Sequence, residues 1–262
     1  GDIGGLLEKG YDLILENAVA TTLDELREVA GLSRVFPGQM VAVCHVLRHS
    51  PFFERLRQII ASGQFGPVVS IQHNENIGYY HFAHSYVRGP WNNEQTSGPL
   101  TLTKSCHDMD ILLYLLGGAS CQSIASVGGL SVFRREHYDP DTMAPMCVDC
   151  PQKDACAYSA PRLYGSGKIR SVVFDLSSVD KVRESLGNSP YGRCVYACDN
   201  NVADHQATAI RFDNGVTATF NLSAFTAKVN RSLKVMCQFG EIRAIEKPYL
   251  IETTDFRTDE TN

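Results

Sequence analysis

The sequence predicts an α/β fold in which the tail of a parallel sheet, residues 1–48, precedes an α+β domain over 49–262 built on a large, mostly antiparallel sheet. Three observations predict it. Residues 11–46 alternate strand, helix and strand over the length that a βαβ unit requires. Asn214-Gly215 sits between two alternating apolar runs, the strongest short-range signal for a β-hairpin. A chain of 262 residues that is 44% hydrophobic and 20% charged has the composition of an ordinary globular protein, with enough length for one large domain or two small ones.

The elements follow in order. Residues 5–16, GLLEKGYDLILE, read as a last helical turn, a stop at Gly10 and a buried strand from Tyr11 to Glu16. That opening suits the interior of a parallel sheet, where each strand needs a crossover helix before it. Residues 21–31, TTLDELREVAG, form a helix with Thr21 or Thr22 as N-cap, acidic residues in the first turn and Gly31 as stop. The next strand is MVAVCHV at 40–46. PFFERLRQIIAS at 51–62 begins with proline at the first helical position, gathers Phe52, Leu56, Ile59 and Ile60 on one face and ends at Gly63. Val69, Ile71, His73, Glu75 and Ile77 alternate with polar neighbours, the pattern of a half-exposed strand. Cys106–Leu116 is a helix stopped by Gly117-Gly118. Gln206–Phe212 and Val216–Phe225 form the hairpin, Leu233–Ile245 and Tyr249–Phe256 add strands, and Glu252–Asn262 reads as a polar tail with no closing element. From about 134 to 203 an irregular insertion carrying Pro, Cys and charge interrupts the second domain.

With 24 Lys+Arg against 29 Asp+Glu the formal net charge is −5, which argues against nucleic acid or a membrane surface as partner. No stretch approaches 18 consecutive apolar residues and no basic-then-apolar leader opens the chain, so the expected address is cytoplasmic. Of nine cysteines, Cys44, Cys106, Cys121 and Cys237 lie in apolar segments and read as small buried hydrophobes. Cys147-x2-Cys150-x5-Cys156 with Cys194-x3-Cys198 offers thiolates for a structural Zn²⁺, which would hold a loop-rich insertion that lacks its own core. A [4Fe–4S] cluster suits this spacing less well, because C-x2-C-x2-C is absent, and free thiols are the simplest alternative.

His73, His81 and His84, with Tyr79, Tyr80, Tyr86, Arg88 and Trp91, make the densest aromatic and imidazole cluster in the chain. Aromatic faces with polar tips suit a sugar ring; the alternative is a loop packed on the sheet with its tips in water. A metal pair at His81 and His84 lacks a carboxylate at fitting spacing. His107 opens a helix, with Asp108 next to it and Asp110 at i+3, close enough to orient the imidazole and raise its basicity. Alternatively Asp108 complements the helix N-terminus and His107 is an ordinary satisfied side chain.

LLEKGYDLILENAVATTLDE at 6–25, HVLRHSPFF at 45–53, GPVVSIQHNENIGYYHFAHSYVRGPW at 66–91, KSCHDMDIL at 104–112 and GRCVYACDN at 192–200, in that order, resemble the glucose-fructose oxidoreductase / inositol dehydrogenase / rhizopine catabolism (Gfo/Idh/MocA) family. The resemblance implies that residues 1–48 end a Rossmann-type dinucleotide-binding domain. It also implies NAD or NADP as cofactor, hydride transfer on a sugar or polyol, and a homodimer or homotetramer formed through the sheet. The family's Glu-Lys-Pro reads Glu16-Asn17-Ala18 here, and its Gly-Gly-Gly-x-Leu-x-Asp-x-Gly-x-His maps onto Ser97–His107 with only Gly98 and His107 kept and Thr103 at the Asp position. By this likeness His107 transfers the proton and Lys104 is an auxiliary cation or a solvated surface lysine. Glu16, Asn17 and Arg48 face the cofactor, and His81, His84, Tyr86, Arg88, Trp91 and Asp110 face the substrate. The Gly-rich phosphate loop of the family has no counterpart, so roughly a hundred residues of such a domain are expected to lie outside this polypeptide. Asn17 lacks the lysine charge, which leaves two further readings open: a non-catalytic or truncated relative that binds a sugar-like ligand or a partner subunit, and glycoside cleavage with a tightly held NAD.

Overall fold

A computed structural model describes residues 2–169, 175 and 177–262. The chain opens with helix α1 (Ile3–Glu8), where the Asp2 carboxylate accepts from Gly5 N at 2.9 Å, and it turns at Gly10 with φ 82°. Strand β1 (Leu13–Leu15), helix α2 (Leu23–Val35) and strand β2 (Val41–Val43) form the expected βαβ unit, the two strands pairing parallel from Leu13↔Val41 to Leu15↔Val43. Thr22 is the cap of α2: its hydroxyl accepts from Glu25 N, and the Glu25 carboxylate accepts from Thr22 N. Gly31 does not stop this helix, which runs on to Val35 and ends at Phe36. One interior glycine costs about 1 kcal/mol in a helix, too little to end one that is firmly capped and continued by residues willing to be helical. Both strands are shorter than their apolar runs. The unit leaves Ile14 70% exposed and Val35 68% exposed, an unusual share of bare apolar surface for a buried-type strand and its helix.

The remaining chain wraps one sheet. Helix α3 (Pro51–Ala61) leads into β3 (Val68–Asn76); α4 (Tyr79–Phe82) continues as a π-helical turn over Ala83–Arg88, followed by α5 (Glu94–Ser97). A second π-helical turn, Thr101–Ser105, feeds α6 (Cys106–Leu115) and then β4 (Cys121–Gly129). The insertion holds α7 (Ala160–Gly165) and α8 (Val179–Gly187), and its residues 170–174 and 176 lie outside the described ones. Strands β5 (His205–Phe212), β6 (Thr217–Ser223), β7 (Asn230–Cys237), β8 (Gly240–Ile245), β9 (Leu250–Asp255) and β10 (Glu260–Thr261) complete the order β10-β9-β8-β7-β3-β6-β5-β4. Every neighbouring pair in this sheet is antiparallel except β3–β6, which runs parallel from Ser70↔Thr217 to Asn76↔Ser223.

Two expectations change, and one strand appears that the sequence did not suggest. The tail does close: β10 pairs with β9 through Glu260↔Asp255. Strand β4 carries no apolar alternation, because nearly all of it is exposed on the outer edge of the sheet, so its sequence reads as a loop. Of the four cysteines expected to be buried, only Cys237 is; Cys121 is exposed, and Cys44 and Cys106 are half-buried. No helix among the described residues is long and apolar enough to cross a membrane.

The covered face of the sheet has two apolar clusters. In one, Phe52, Phe53 and Leu56 of α3 and Ile111 and Leu112 of α6 pack on Ile71 of β3 and Leu233 and Val235 of β7. In the other, Phe82, Leu100, Phe133 and Leu186 pack on Ile77 and on Phe220 and Leu222 of β6. His73 and Glu75 lie on the same face of β3, between Ile71 of the first cluster and Ile77 of the second, and are 0% and 1% exposed. A polar seam therefore separates two dry cores. Buried charge is tolerated only when paired and hydrogen-bonded, so this seam needs partners.

Candidate active site

The partners come from α6 and β7. Asp108 in the first turn of α6 is fully buried and its Oδ1 lies 2.7 Å from His73 Nε2 and 2.8 Å from Arg231 Nε. Since a carboxylate only accepts, His73 donates from Nε2. Arg231 Nε is also 2.9 Å from Glu75 Oε2, and its Nη1 reaches Glu246 at 3.3 Å. The second Glu75 oxygen, Oε1, lies 2.9 Å from Lys104 Nζ. Burial works against the charge on Asp108, but Arg231 and the His73 hydrogen bond outweigh it and hold the carboxyl at about 2. For Glu75 burial wins over Arg231 and Lys104, with Asp108 adding repulsion, and its carboxyl is pushed up. Lys104 is thus neither loose nor fully solvated: it is a half-buried cation clamped to the strand.

His107 stands half-buried beside this network. Asn17 Nδ2 lies 3.2 Å from His107 Nδ1 and 3.5 Å from Cys106 Sγ, and Cys106 in turn donates to Leu102 O at 2.8 Å. Asn17 Nδ2 also lies 3.5 Å from His107 Nε2, and since an amide N–H₂ only donates, the ring nitrogen it meets is an acceptor and the imidazole is neutral. Burial lowers the His107 pKa, Arg231 and Lys104 lower it further, and Asp108 only partly offsets them. This reverses the expected gain in basicity: Asp108 is committed to His73 and Arg231, and Asp110 to Arg48, so neither carboxylate holds the imidazole. The Arg48–Asp110 contact is bidentate, with Nε to Oδ2 at 2.7 Å and Nη2 to Oδ1 at 2.6 Å, and it fastens the turn after β2 to α6. The chain thereby brings Asn17, His107, Lys104, Arg48 and Asp110 into one region, while Glu16 is exposed beside Asn17. The peptide bond between Asn17 and Ala18 is cis.

The aromatic cluster divides. His81, His84, Trp91, Tyr80 and Tyr191 line a cavity of about 530 Å³, within the range of small-ligand sites. Trp91 is 42% exposed there, and His84 stacks on Tyr191 with ring centroids 4.7 Å apart. Burial, with Lys104, His84 and Lys247 adding repulsion, depresses His81 to about 4. Tyr86 and Arg88 are not in its lining: Tyr86 is buried behind it, stacked on Phe82 and in ring contact with His81 and Trp91, and Arg88 is tied to the insertion through Arg193 O and Tyr158 O at 2.7 Å each.

The expectation of zinc on Cys147, Cys150, Cys156, Cys194 and Cys198 is not met: among the described residues no group of three or more His, Cys, Asp or Glu could hold a metal ion. Nor do His81 and His84 join such a group, and His84 Nδ1 instead lies 2.7 Å from the Tyr164 hydroxyl. Sequence reasoning missed Glu75 and Arg231 as members of the site and counted His73 with the aromatic cluster, whereas it bonds Asp108. The signal was present as two ionisable residues on the apolar face of β3, which a core strand accommodates only with buried partners.

The family described as "Oxidoreductase family, C-terminal alpha/beta domain" matches residues 57–240, more than half of the chain. YteT of Bacillus subtilis (strain 168), named as an oxidoreductase, is 25% identical over 225 residues, covering 82% of this chain and 50% of its own. Among solved structures, an oxidoreductase domain protein from Kribbella flavida superposes with TM-score 0.66 at 13% identity, over 99% of this chain and 56% of that one. Levoglucosan dehydrogenase in complex with NADH and L-sorbose superposes with TM-score 0.65 at 14% identity, over 99% and 55% respectively. The chain spans about half the length of these relatives. With the small parallel sheet, the large mostly antiparallel one and the family match together, the chain belongs to the Gfo/Idh/MocA oxidoreductase family, whose C-terminal α/β domain it carries.

Proposed function

We propose that the protein to which this chain belongs is an NAD(P)-dependent dehydrogenase acting on a sugar or polyol, with residues 1–48 forming the end of its dinucleotide-binding domain. The contact between Asn17 and His107 carries this reading. Asn17 follows the carboxyl end of β1, and ligands of parallel α/β sheets bind beyond the carboxyl ends of the strands. Burial and neighbouring cations keep His107 neutral, and a substrate hydroxyl that displaces the Asn17 amide from its lone pair meets a nitrogen able to take its proton. The dinucleotide, when bound, supplies the hydride acceptor or donor; Asn17 and the exposed Glu16 fit its nicotinamide end. His107 takes the hydroxyl proton as the carbinol is oxidised and returns it in reduction. Lys104, held by Glu75, supplies positive charge near the developing alkoxide, in place of the charge that Asn17 lacks.

The cavity beside Trp91 and His81 supports a sugar-like ligand, with an aromatic face for C–H groups and polar tips for hydroxyls. The likeness to levoglucosan dehydrogenase bound to NADH and L-sorbose supports the same class. The bare apolar side chains of β1 and α2, Ile14 and Val35 among them, are consistent with further sheet and helix packing on this unit. The second broad face of the large sheet, with Val69 and Val127 exposed, is the surface through which a homodimer or homotetramer would form.

One specific observation favours the non-catalytic reading: the side chain touching His107 is an uncharged amide. Titration calorimetry of the full-length protein with NADH and NADPH, followed by nicotinamide absorbance over a panel of sugars and polyols, separates the two. Binding with turnover that disappears in His107→Ala supports the dehydrogenase. Failure to bind either nucleotide sinks it and leaves a ligand-binding relative.

A further inference from the structure

The cavity beside Trp91 offers a cation and no acidic acceptor. Tyr80, His81, His84, Trp91 and Tyr191 give it aromatic and imidazole walls, and Lys168 stands in its lining, which holds no Asp or Glu among the described residues. Residues 170–174, next in the chain after Ile169 of that lining, read Arg-Ser-Val-Val-Phe and contain no acidic side chain either. A neutral sugar presents a rim of hydroxyl donors, which carboxylates answer best. A wall with an ammonium in their place suits a ligand richer in acceptors.

Lys168 is held in position without being neutralised. Its Nζ donates to the Tyr79 hydroxyl at 2.6 Å and lies 5.0 Å and 5.9 Å from the ring centroids of Tyr79 and Tyr80. An ammonium carries three donors, so two stay open, and no carboxylate among the described residues forms an ion pair with it. Lys247, exposed in the turn between β8 and β9, also forms no ion pair among the described residues. Beyond burial, Lys104, His84 and Lys247 all disfavour charge on His81, which therefore stays neutral near pH 7. The charge of Lys104 is already answered by Glu75, so the unanswered ammonium groups at or near this cavity are those of Lys168 and Lys247.

We propose that the cavity receives a sugar acid, a uronate in its ring form, with Lys168 as the residue that reads the carboxylate. The apolar C–H face of the ring lies on Trp91, which is 42% exposed, and the neutral His81 meets a ring hydroxyl. A carboxylate fits better than a phosphate. A phosphate calls for several cationic donors or the fork of a guanidinium, whereas the described lining offers one ammonium and no arginine.

The inference rests on the dehydrogenase reading for the reacting end of the substrate. Lys104 adds to the effect of burial and Arg231 on His107 as it adds to that of burial on His81, so both histidines are neighbours of one cation. A ligand that extends from the cavity towards Lys104 brings a hydroxyl towards His107. The carboxylate is a handle and takes no part in the chemistry: it sets which sugar is held, and a neutral hexose of the same configuration lacks it.

The test is titration calorimetry of the full-length protein, with and without NADH, using glucuronate and galacturonate beside glucose, galactose and glucose 6-phosphate. The expected result is that at least one uronate binds about tenfold or more tightly than its parent hexose and than the phosphate. Lys168→Met removes that preference and Lys168→Arg keeps most of it; because Lys168 is exposed, circular dichroism of both variants should match wild type. The wild-type preference stands as evidence even where a variant misfolds. Binding of none of the five, hexoses held as tightly as the uronates, a preference for the phosphate, or a uronate preference that survives Lys168→Met each overturns the proposal. Uronate binding without nicotinamide turnover would sink the dehydrogenase reading and support this site, whereas turnover of neutral hexoses with no preference for the acids would do the reverse.

Discussion

Lys104 Nζ lies 2.9 Å from Glu75 Oε1, and the two side chains are 14% and 1% exposed. The pair ties the π-helical turn before α6 to the central strand β3, in the polar seam between two apolar cores. Because Arg231 holds the other carboxylate oxygen, Glu75 is the shared counter-ion of one buried and one half-buried cation.

Glu75→Gln keeps the shape and removes the charge, leaving Lys104 uncompensated and Arg231 weakened. Breaking a buried pair from one side costs roughly 3–5 kcal/mol. Urea unfolding of the variant beside wild type measures it, and a loss below about 1 kcal/mol would show that the pair is not formed in solution.

Stability should fall in mild acid because of His81. Its pKa is depressed in the folded protein from 6.5 to about 4, so between those pH values the unfolded chain binds a proton that the folded one refuses. The stability this supplies is complete above pH 6.5 and is lost as pH falls toward 4, by about 3 kcal/mol for a shift of this size. Melting temperatures across this range, for wild type and for His81→Gln, give the comparison; equal pH slopes in the two proteins would refute the assignment to His81.

His107→Ala in the full-length protein should lower kcat by about 10²- to 10⁴-fold, the usual worth of a positioned proton-transfer group. Because His107 is half-buried and makes its side-chain hydrogen bond to Asn17 rather than to the core, the melting temperature should move little. A kcat within a few-fold of wild type would assign proton transfer to another group.

Two glycines should respond differently to alanine. Gly215 in the β5–β6 turn has φ 85° and open space around an added Cβ, so Gly215→Ala should cost only the left-handed backbone term, about 1–2 kcal/mol. At Gly78, with φ 83°, the added Cβ would also lie 2.8 Å from Val229 Cγ2. Gly78→Ala should therefore cost more than Gly215→Ala in the same denaturation assay, and the reverse order would contradict the close approach of Gly78 to Val229.

Local pattern made the βαβ unit, α3, α6 and the Asn214-Gly215 hairpin legible, because capping residues, a single apolar face and turn chemistry act over a few neighbouring positions. Edge strand β4 was hidden, since a strand exposed along its length needs no apolar alternation. The site was legible in part. His107, Lys104 and Asn17 stand out by likeness, and the structure places Asn17 against His107 as a sequence separation of 90 residues cannot reveal. Glu75 and Arg231 escaped notice because their meaning lies in tertiary pairing across β3 and β7, and Asp108 looked like a partner of its sequence neighbour when it serves His73 instead.

The parallel β3–β6 pair has a consequence for how the chain is made. Both neighbours of strand β3, β6 and β7, are encoded more than a hundred residues after it and leave the ribosome later. Until residue 223 has emerged β3 has two unpaired edges, the β7 edge stays open until residue 237, and Glu75 has no Arg231 to answer its charge until residue 231. Long-range pairing of this kind is slow and exposes strand edges in the meantime. Strand β3 must therefore wait, open and chaperone-accessible, for sheet neighbours that only residues from 217 onward supply.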